Sequence, residues 1–476
     1  MGYRKQKILI TGNVSDEAHN YLLWLCQEAN NLYNSTLFYI RQAHFEQCAR
    51  MTYFDKNDFY CQRFKLSKIQ VCYSQLCKTL KVNNHYQNLG GTPGQQTIKS
   101  VVEAIKAYNQ LLPMWFKKEL QHQAKIPNYR RKNGLYQVTY TGQSIPEYKE
   151  FEGWCKLQVA KENQPELVEG DIIIPGGVDL KKEDIAELRI VPANGKLWVE
   201  YVIKSEEIKA KNLDYNQALG LDLGINNLIT AGKSFIVDGK RLKFINQKFN
   251  KFVAKYKQGK SERELWLPTS FYWDETLADV THKRNCQVRD YINKAARFIV
   301  NYCLNKNIGN IVIGWNKGNK PEINLGKRNN QNLVQIPLFR LKNRIKEIAE
   351  SLGIKVTETE ESYTSQSSFL DNDELPVYDE KLKGKHKFSG KRIKRGLYKT
   401  VNNFLINADA NGAANILKKV ATQLGISLVK VGREVLTLPK RYFVYENLYR
   451  KYRNRAERSC GRSPALRFLI ESPPLV

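Results

Sequence analysis

At 476 residues and 42% hydrophobic content, the chain is long enough for two or three domains with real cores. Its 76 Lys and Arg stand against 47 Asp and Glu, a formal net charge of +29. That exceeds what solubility requires and points to a phosphate-bearing polyanion as partner. No apolar run reaches the ~18 residues of a spanning helix. The start, Met1-Gly-Tyr-Arg-Lys-Gln-Lys7 followed only by Ile8-Leu-Ile10, lacks the apolar stretch of a signal peptide. The expectation is a bacterial cytoplasmic, nucleoid-associated protein that uses no membrane.

In chain order, a short strand is expected at Lys7 to Ile10, and Ser15 can cap a long helix. Leu22, Leu23, Leu25, Ala29, Leu32 and Tyr33 recur there at helical spacing. Helical stretches continue to about Phe116, with a break at Gly90-Gly-Thr-Pro-Gly94. From Ile126 the pattern alternates, at Tyr136, Val138 and Tyr140, then Leu188 and Ile190, then Leu197, Val199, Tyr201 and Ile203. The last two runs flank Asn194-Gly195, a hairpin signal because both residues tolerate positive φ. A β-rich region therefore spans about 126–208, and the strand at 7–10 is expected to join it.

Beyond residue 209 the spacing predicts strands near 217–222, 228–231, 241–245, 310–314 and 353–361, and helices near 282–306, 334–352 and 410–420. Three consecutive strands, then strand–helix–strand and a closing helix, is the ribonuclease-H-like order. It places strand 310–314 between 217–222 and 353–361. The run from Lys381 to Lys399 holds nine Lys or Arg and no acid, so it reads as a solvated insertion that does not pack.

Nine cysteines (Cys26, Cys48, Cys61, Cys72, Cys77, Cys155, Cys286, Cys303 and Cys460) contain no Cys-x-x-Cys pair and read as reduced, mostly buried thiols. The six histidines show no triad or metal-ligand spacing, and there is no Gly-x-x-x-x-Gly-Lys loop for a nucleotide.

Three segments carry candidate chemistry: Leu219-Gly-Leu-Asp-Leu-Gly-Ile-Asn-Asn227, Glu360-Glu-Ser-Tyr-Thr-Ser365 and Asn407-Ala-Asp-Ala-Asn-Gly-Ala-Ala-Asn-Ile416. Each puts an acid at a strand end or helix start, in the order Asp, Glu, Asp. Two-metal phosphodiester cleavage needs carboxylates converging from different elements, because Mg²⁺ prefers hard oxygen ligands and the two ions sit about 4 Å apart. Taken alone, Asp222-Leu-Gly224 reads as a turn and Asp409 as a helix N-cap.

Together, Gly220-Leu-Asp-Leu-Gly-Ile-Asn-Asn-Leu228, Ile311-Val-Ile-Gly-Trp-Asn-Lys-Gly318, Tyr363-Thr-Ser-Gln366 and Asp409-Ala-Asn-Gly-Ala-Ala-Asn-Ile416 resemble the TnpB (OrfB) family of transposon-encoded RNA-guided nucleases. That family is related to the type V CRISPR effectors. The resemblance implies an α/β multi-domain chain with a helical recognition domain, a β-barrel-like wedge domain and a RuvC (ribonuclease-H-like) nuclease domain. The first wedge strand then falls at 1–20, the helical domain at 21–125 and the rest of the wedge at 126–208. The nuclease domain follows at 209–420 with a basic insertion at about 366–406, and a basic tail at 421–476. It implies Asp222 and Asp409 as the first and last catalytic acids, Mg²⁺ with Mn²⁺ as an alternative, a guide RNA from the transposon end, and double-stranded DNA cut beside a short protein-read motif.

Two departures qualify the resemblance. Most members carry the middle Glu where this chain has Gly314, whereas some TnpB and Fanzor proteins place it just upstream of the Thr-Ser motif, where Glu361 stands. Glu361 is therefore the expected third catalytic and metal-binding acid, with Glu360 as its rival. The zinc-ribbon cysteines are missing from Thr364-Ser-Gln-Ser-Ser-Phe-Leu-Asp371, so no zinc is expected. Lys391, Arg392, Lys394 and Arg395 of the basic run, and Tyr129, Arg130, Arg131 and Lys132, are the candidate nucleic-acid contacts. Loss of the acid at Gly314 leaves an inactive RNA-guided DNA-binding protein as the alternative. A DNA-joining transposase, which usually places its Glu last, ranks below both.

Overall fold

A computed structural model describes residues 2–52, 67–120, 122–150, 152–157, 172–205, 212–232, 235–258, 274–316, 336–376, 386–394, 396–425 and 436–445. The described elements fall into two compact units divided at Ser205, except that a segment ending at His282 counts with the first.

In the first unit, strand β1 (Gly2–Leu9) leads into helix α1 (Asp16–Thr52). Ser15 caps that helix as expected, its Oγ accepting from the Ala18 amide at 3.2 Å. Leu22, Leu25, Cys26, Ala29, Leu32 and Leu37 are buried along one stripe. Helices α2 (Tyr73–Leu80), α3 (Asn84–Leu89) and α4 (Gly91–Phe116) follow. The break between the last two is Gly90 alone, at φ 76°, while Pro93 and Gly94 already lie in the first turn of α4, where a proline lacking its N–H costs nothing.

Strands β2 (Val138–Thr141), β3 (Glu147–Lys149), β4 (Trp154–Leu157), β5 (Ile172–Pro175), β6 (Ile185–Ala193) and β7 (Lys196–Ser205) complete the unit. Hydrogen bonding divides them into two sheets, β1-β7-β6-β2 and β3-β4-β5. The β6–β7 turn is Asn194-Gly195 at φ 51° and 74°, the paired positive values of the predicted hairpin. Leu197, Val199, Tyr201 and Ile203 alternate inward as the period of two demands. Tyr201 ties the two sheets together by donating to the Pro175 carbonyl at 2.8 Å. The helical and β-rich regions share one apolar core, so the division expected at 125/126 does not separate two cores, and the 20/21 boundary falls inside α1.

The second unit is a six-stranded sheet. Its strands are β8 (Asp214–Leu223), β9 (Asn227–Ala231), β10 (Phe235–Asp238), β11 (Ile308–Gly314), β12 (Lys355–Thr359) and β16 (Lys440–Tyr442), in the order β12-β11-β8-β9-β10-β16. β8, β9 and β10 form an antiparallel meander, and β11 and β12 add in parallel on the other side of β8. Strand β11 thus lies between β8 and β12, as read from the sequence. Helices α5 (Lys240–Lys257), α6 (Glu275–Asn305), α7 (Leu338–Ser351) and α8 (Ala408–Leu424) accompany the sheet.

The third strand is displaced from its expected position. Residues 241–245 lie in α5, and the strand is the preceding run Phe235-Ile-Val-Asp238, buried throughout. A strand covered on both faces shows no alternation, so a period of two does not reveal it. The Asp238 carboxylate then accepts the Lys240 amide at 2.9 Å and starts the helix. Strand β16, at the sheet edge beside β10, lies in what was expected to be a basic tail; three residues carry too little pattern to be legible.

The basic run also packs more than its composition suggests. Strands β13 (Lys391–Lys394) and β14 (Leu397–Lys399) pair as a hairpin, and β14 pairs with β15 (Leu405–Asn407). Tyr398 and Ile406 are wholly buried while all four residues of β13 are exposed. Backbone pairing is indifferent to charge when the charged side chains face water, and one aromatic anchor fixes the rest. The described cysteines form no disulfide, and three of them, Cys26, Cys155 and Cys303, are buried.

Candidate functional site

Asp222 lies near the end of β8, on the sheet's central strand, and Asp409 lies in the first turn of α8. Small residues let the two elements meet. A Cβ on Gly220 would come within 2.5 Å of the Ala413 carbonyl oxygen, and one on Gly232 within 2.9 Å of the Ala414 nitrogen. At Gly412 a Cβ would stand 3.4 Å from Oδ2 of Asp222, so the helix backbone itself borders the carboxylate.

Asp409 is not the N-cap of α8. Asn407 takes that role, its Oδ1 accepting the amides of Asp409 and Ala410 at 3.0 Å each. The Asp409 side chain is thereby released: Oδ2 accepts from Asn227 Nδ2 at 2.6 Å, and Oδ1 lies 3.5 Å from the Arg392 guanidinium on the basic hairpin.

Glu361 follows β12 by two residues, and the register pairs Thr359 with Gly314. A Cβ on Gly314 would meet Glu361 Cγ and Oε1, each at 2.8 Å, and Ile416 Cδ1 at 2.5 Å. The Glu361 side chain therefore lies over the bare backbone of Gly314, in the space that a side chain at 314 would fill. Its own backbone is pinned: the Glu361 amide donates to Asn316 Oδ1 at 2.9 Å, and its carbonyl accepts from the Thr364 hydroxyl at 2.8 Å. Glu360 is paired with Lys419 at 3.8 Å.

Two buried asparagines of α8 belong to the site without having stood out as candidates in the sequence. Asn415 donates to the carbonyls of Thr364 and Ser367 at 2.9 and 2.8 Å, and Asn411 donates to Ser367 at 2.7 Å while accepting the Phe369 amide. They clamp the Thr364–Ser367 turn, and hence the acid that precedes it, to the helix that bears Asp409. Their signal is the i, i+4 repeat in Asn411-Gly-Ala-Ala-Asn415, since a buried amide requires partners.

The charges of Glu361 and Asp409 are both felt at Asp222. Burial pushes the Asp222 carboxyl up to about 7, the charges of Glu361 and Asp409 push the same way, and Arg392 opposes them. Burial also raises Glu361, against the pull of Lys419. Among the described residues, no group of three His, Cys, Asp or Glu is close enough to form a ready-made cage for an ion. The donor chemistry nonetheless fits a hard divalent cation: three carboxylates, no sulfur or imidazole, and a negative charge that raises the carboxyl at its centre.

The other candidate contacts separate. Arg130 is engaged internally, its Nε donating to Asn30 Oδ1 at 3.2 Å, Nη2 to the Leu135 carbonyl at 3.1 Å, and its guanidinium 4.4 Å from the Tyr136 ring centre. It organises the junction of α1 with the following loop. Tyr129 is exposed beneath the Arg41 guanidinium, and Arg131 and Lys132 are exposed. Lys391, Arg392 and Lys394 form the exposed β13, whereas Arg395 lies outside the described residues.

The three acids thus stand near the end of β8, beyond β12 and in the first turn of α8, all in one mixed α/β unit. Residues 200–320 match the family model OrfB_IS605, described as a probable transposase. That match bears out the resemblance to the TnpB (OrfB) family, and covers the first acid and the strand with Gly314. No curated protein matches the chain. Among solved structures it is similar to a Cas12f1–sgRNA–target DNA complex, at 12% identity over 84% of this chain and 82% of that one, with a TM-score of 0.45. It is similar also to a CRISPR-Cas12f ternary complex, at 14% identity over 84% and 82% with a TM-score of 0.31, and to a Cas12i–crRNA–dsDNA complex in its I1 state, at 13% over 89% and 67% with a TM-score of 0.29. Among the described residues no helix is long and apolar enough to cross a membrane.

Proposed function

We propose that the protein is an RNA-guided, divalent-metal-dependent DNA endonuclease of the TnpB kind, with Asp222, Glu361 and Asp409 as its metal-holding acids. The observation that carries this reading is the Glu361 side chain lying over Gly314, with Asp222 and Asp409 on two elements that Gly220 and Gly412 let meet. A glutamate reaching in from beyond the neighbouring strand supplies the carboxylate that most relatives place on β11.

Mg²⁺, with Mn²⁺ as substitute, would supply the charge that stabilises phosphodiester cleavage when bound. The chain's own residues prepare its place. Asn407 caps α8 so that Asp409 is left to ligate, and Asn411 and Asn415 hold the turn behind Glu361. The exposed β13 presents cations to a phosphate backbone within reach of Asp409. A guide RNA encoded at the transposon end would pair with one strand of a double-stranded target and give specificity, while the protein reads a short motif beside it.

The test is cleavage of a verified target by protein purified with its own RNA. Asp222→Ala, Glu361→Ala and Asp409→Ala should each abolish cutting while RNA-guided binding persists, and Glu360→Ala should cut nearly as wild type. Full cleavage by Glu361→Ala would overturn the assignment. The lack of a ready-made cage among the described residues and the Arg392–Asp409 pair favour a second reading, a guided DNA-binding protein that does not cut. Wild type that binds its target and leaves it intact in Mg²⁺ and in Mn²⁺ would establish that reading instead.

A further inference from the structure

Asp409 is held by a neutral donor, and the donor is itself held. The Asn227 side chain donates from Nδ2 to Asp409 Oδ2 at 2.6 Å and accepts at Oδ1 from Arg441 Nη2 at 2.9 Å. Through Nη1, Arg441 donates to Asp238 Oδ1 at 2.8 Å. Asp238 is only 2% exposed; its other carboxylate oxygen accepts the Lys240 amide, and its main-chain oxygen accepts the Tyr291 hydroxyl. The chain of hydrogen bonds runs from Asp238 at the end of β10, through Arg441 of the edge strand β16 and Asn227 at the start of β9, to the helix that bears the acid.

Each link dictates the next. An amide has a donating and an accepting end of nearly equal shape, and its isolated geometry does not choose between them. A guanidinium only donates, so the oxygen of Asn227 must face Arg441 and the NH₂ must face Asp409. The charge of Arg441 is matched by Asp238 rather than by Asp409. Asp409 thus gains a fixed orientation without losing its negative charge to a permanent cation, and its second oxygen faces the exposed and displaceable Arg392. Losing an outer group that orients a ligating carboxylate in this way typically costs about 10- to 100-fold in metal affinity.

We infer that Asn227 and Arg441 are positioning residues for Asp409, Arg441 acting wholly through Asn227; the inference rests on the proposed metal-holding role of the three acids. A purely structural Arg441, present to neutralise buried Asp238, makes a different prediction. Lysine at 441 can neutralise Asp238 but, as a point charge, cannot fork between Asp238 and Asn227.

The experiment measures Mn²⁺ binding by electron paramagnetic resonance in full-length protein with its co-purified RNA, with Asp222→Ala giving the background due to RNA. Arg441→Lys should melt close to wild type yet lose on the order of 10- to 100-fold in site-specific Mn²⁺ affinity. Asn227→Ala should lose a similar factor, and Asn227→Ala combined with Arg441→Lys should lose no more than Asn227→Ala alone. Wild-type Mn²⁺ affinity in Arg441→Lys, or losses that multiply in the double variant, would overturn the relay while leaving the metal site standing. If Asp222→Ala binds Mn²⁺ as wild type does, the metal site itself is wrong and the relay falls with it.

Discussion

Burial, with the charges of Glu361 and Asp409, raises the Asp222 carboxyl to about 7, and this makes Asp222 a reporter of its own site. Its folded value exceeds the ordinary 3.8, so the folded chain binds the proton more tightly than the unfolded one. The metal-free protein therefore loses stability as pH rises from 3.8 to about 7, and stays at the lower level above that. Asp222→Asn removes this loss along with a metal ligand. It should melt a few degrees above wild type at pH 8 without divalent ions, the gap narrowing toward pH 5 in scanning calorimetry, while cleavage is absent. Gly314 gives a second test at this scale. Gly314→Ala puts a methyl where Glu361 Cγ and Oε1 lie, and displacement of the glutamate should cost about tenfold or more in cleavage rate.

Among the elements, the β13–β14 hairpin links charge to position. Tyr398 is buried and donates to the Gln366 carbonyl at 2.8 Å, so the hairpin is anchored by one ring while its basic strand faces water. Tyr398→Ala should cost roughly 3–5 kcal/mol of local stability, as aromatic truncations in cores do, and should be read as lost amide-exchange protection over residues 391–407. Changing Lys391, Arg392 and Lys394 to Ala should leave that protection intact and weaken DNA binding. It should lower the slope of log affinity against log salt by roughly one for each phosphate that is no longer neutralised. An unchanged slope in titrations across salt would mean that the strand meets no phosphate.

For the whole molecule, a charge of +29 needs a polyanion to neutralise it. Protein expressed together with the proposed guide RNA should therefore be recovered with a defined RNA, identified by sequencing the bound fraction, and should be poorly soluble when that RNA is left out. Well-behaved RNA-free protein that cuts DNA unaided would contradict the RNA-guided reading.

Much of this was legible in the linear chain, because it depends on local rules. Helical spacing along α1, alternation along β6 and β7, the Asn194-Gly195 turn and the order of elements in the sheet follow from periods of 3.6 and 2 and from positive-φ tolerance. The three acids were also visible as strand-end and helix-start carboxylates beside small residues. What the chain could not show depends on packing between distant residues. The third strand hid as a buried apolar run without alternation, and β16 as three residues of an expected tail. Arg130 and Arg392 looked alike as basic surface, yet packing encloses one among Asn30, Leu135 and Tyr136 and sets the other against Asp409. The choice between Glu360 and Glu361 was undecidable from alternation alone. Only the folded backbone, with nothing but hydrogen at Gly314, makes the room that the Glu361 side chain takes there, while Glu360 faces Lys419.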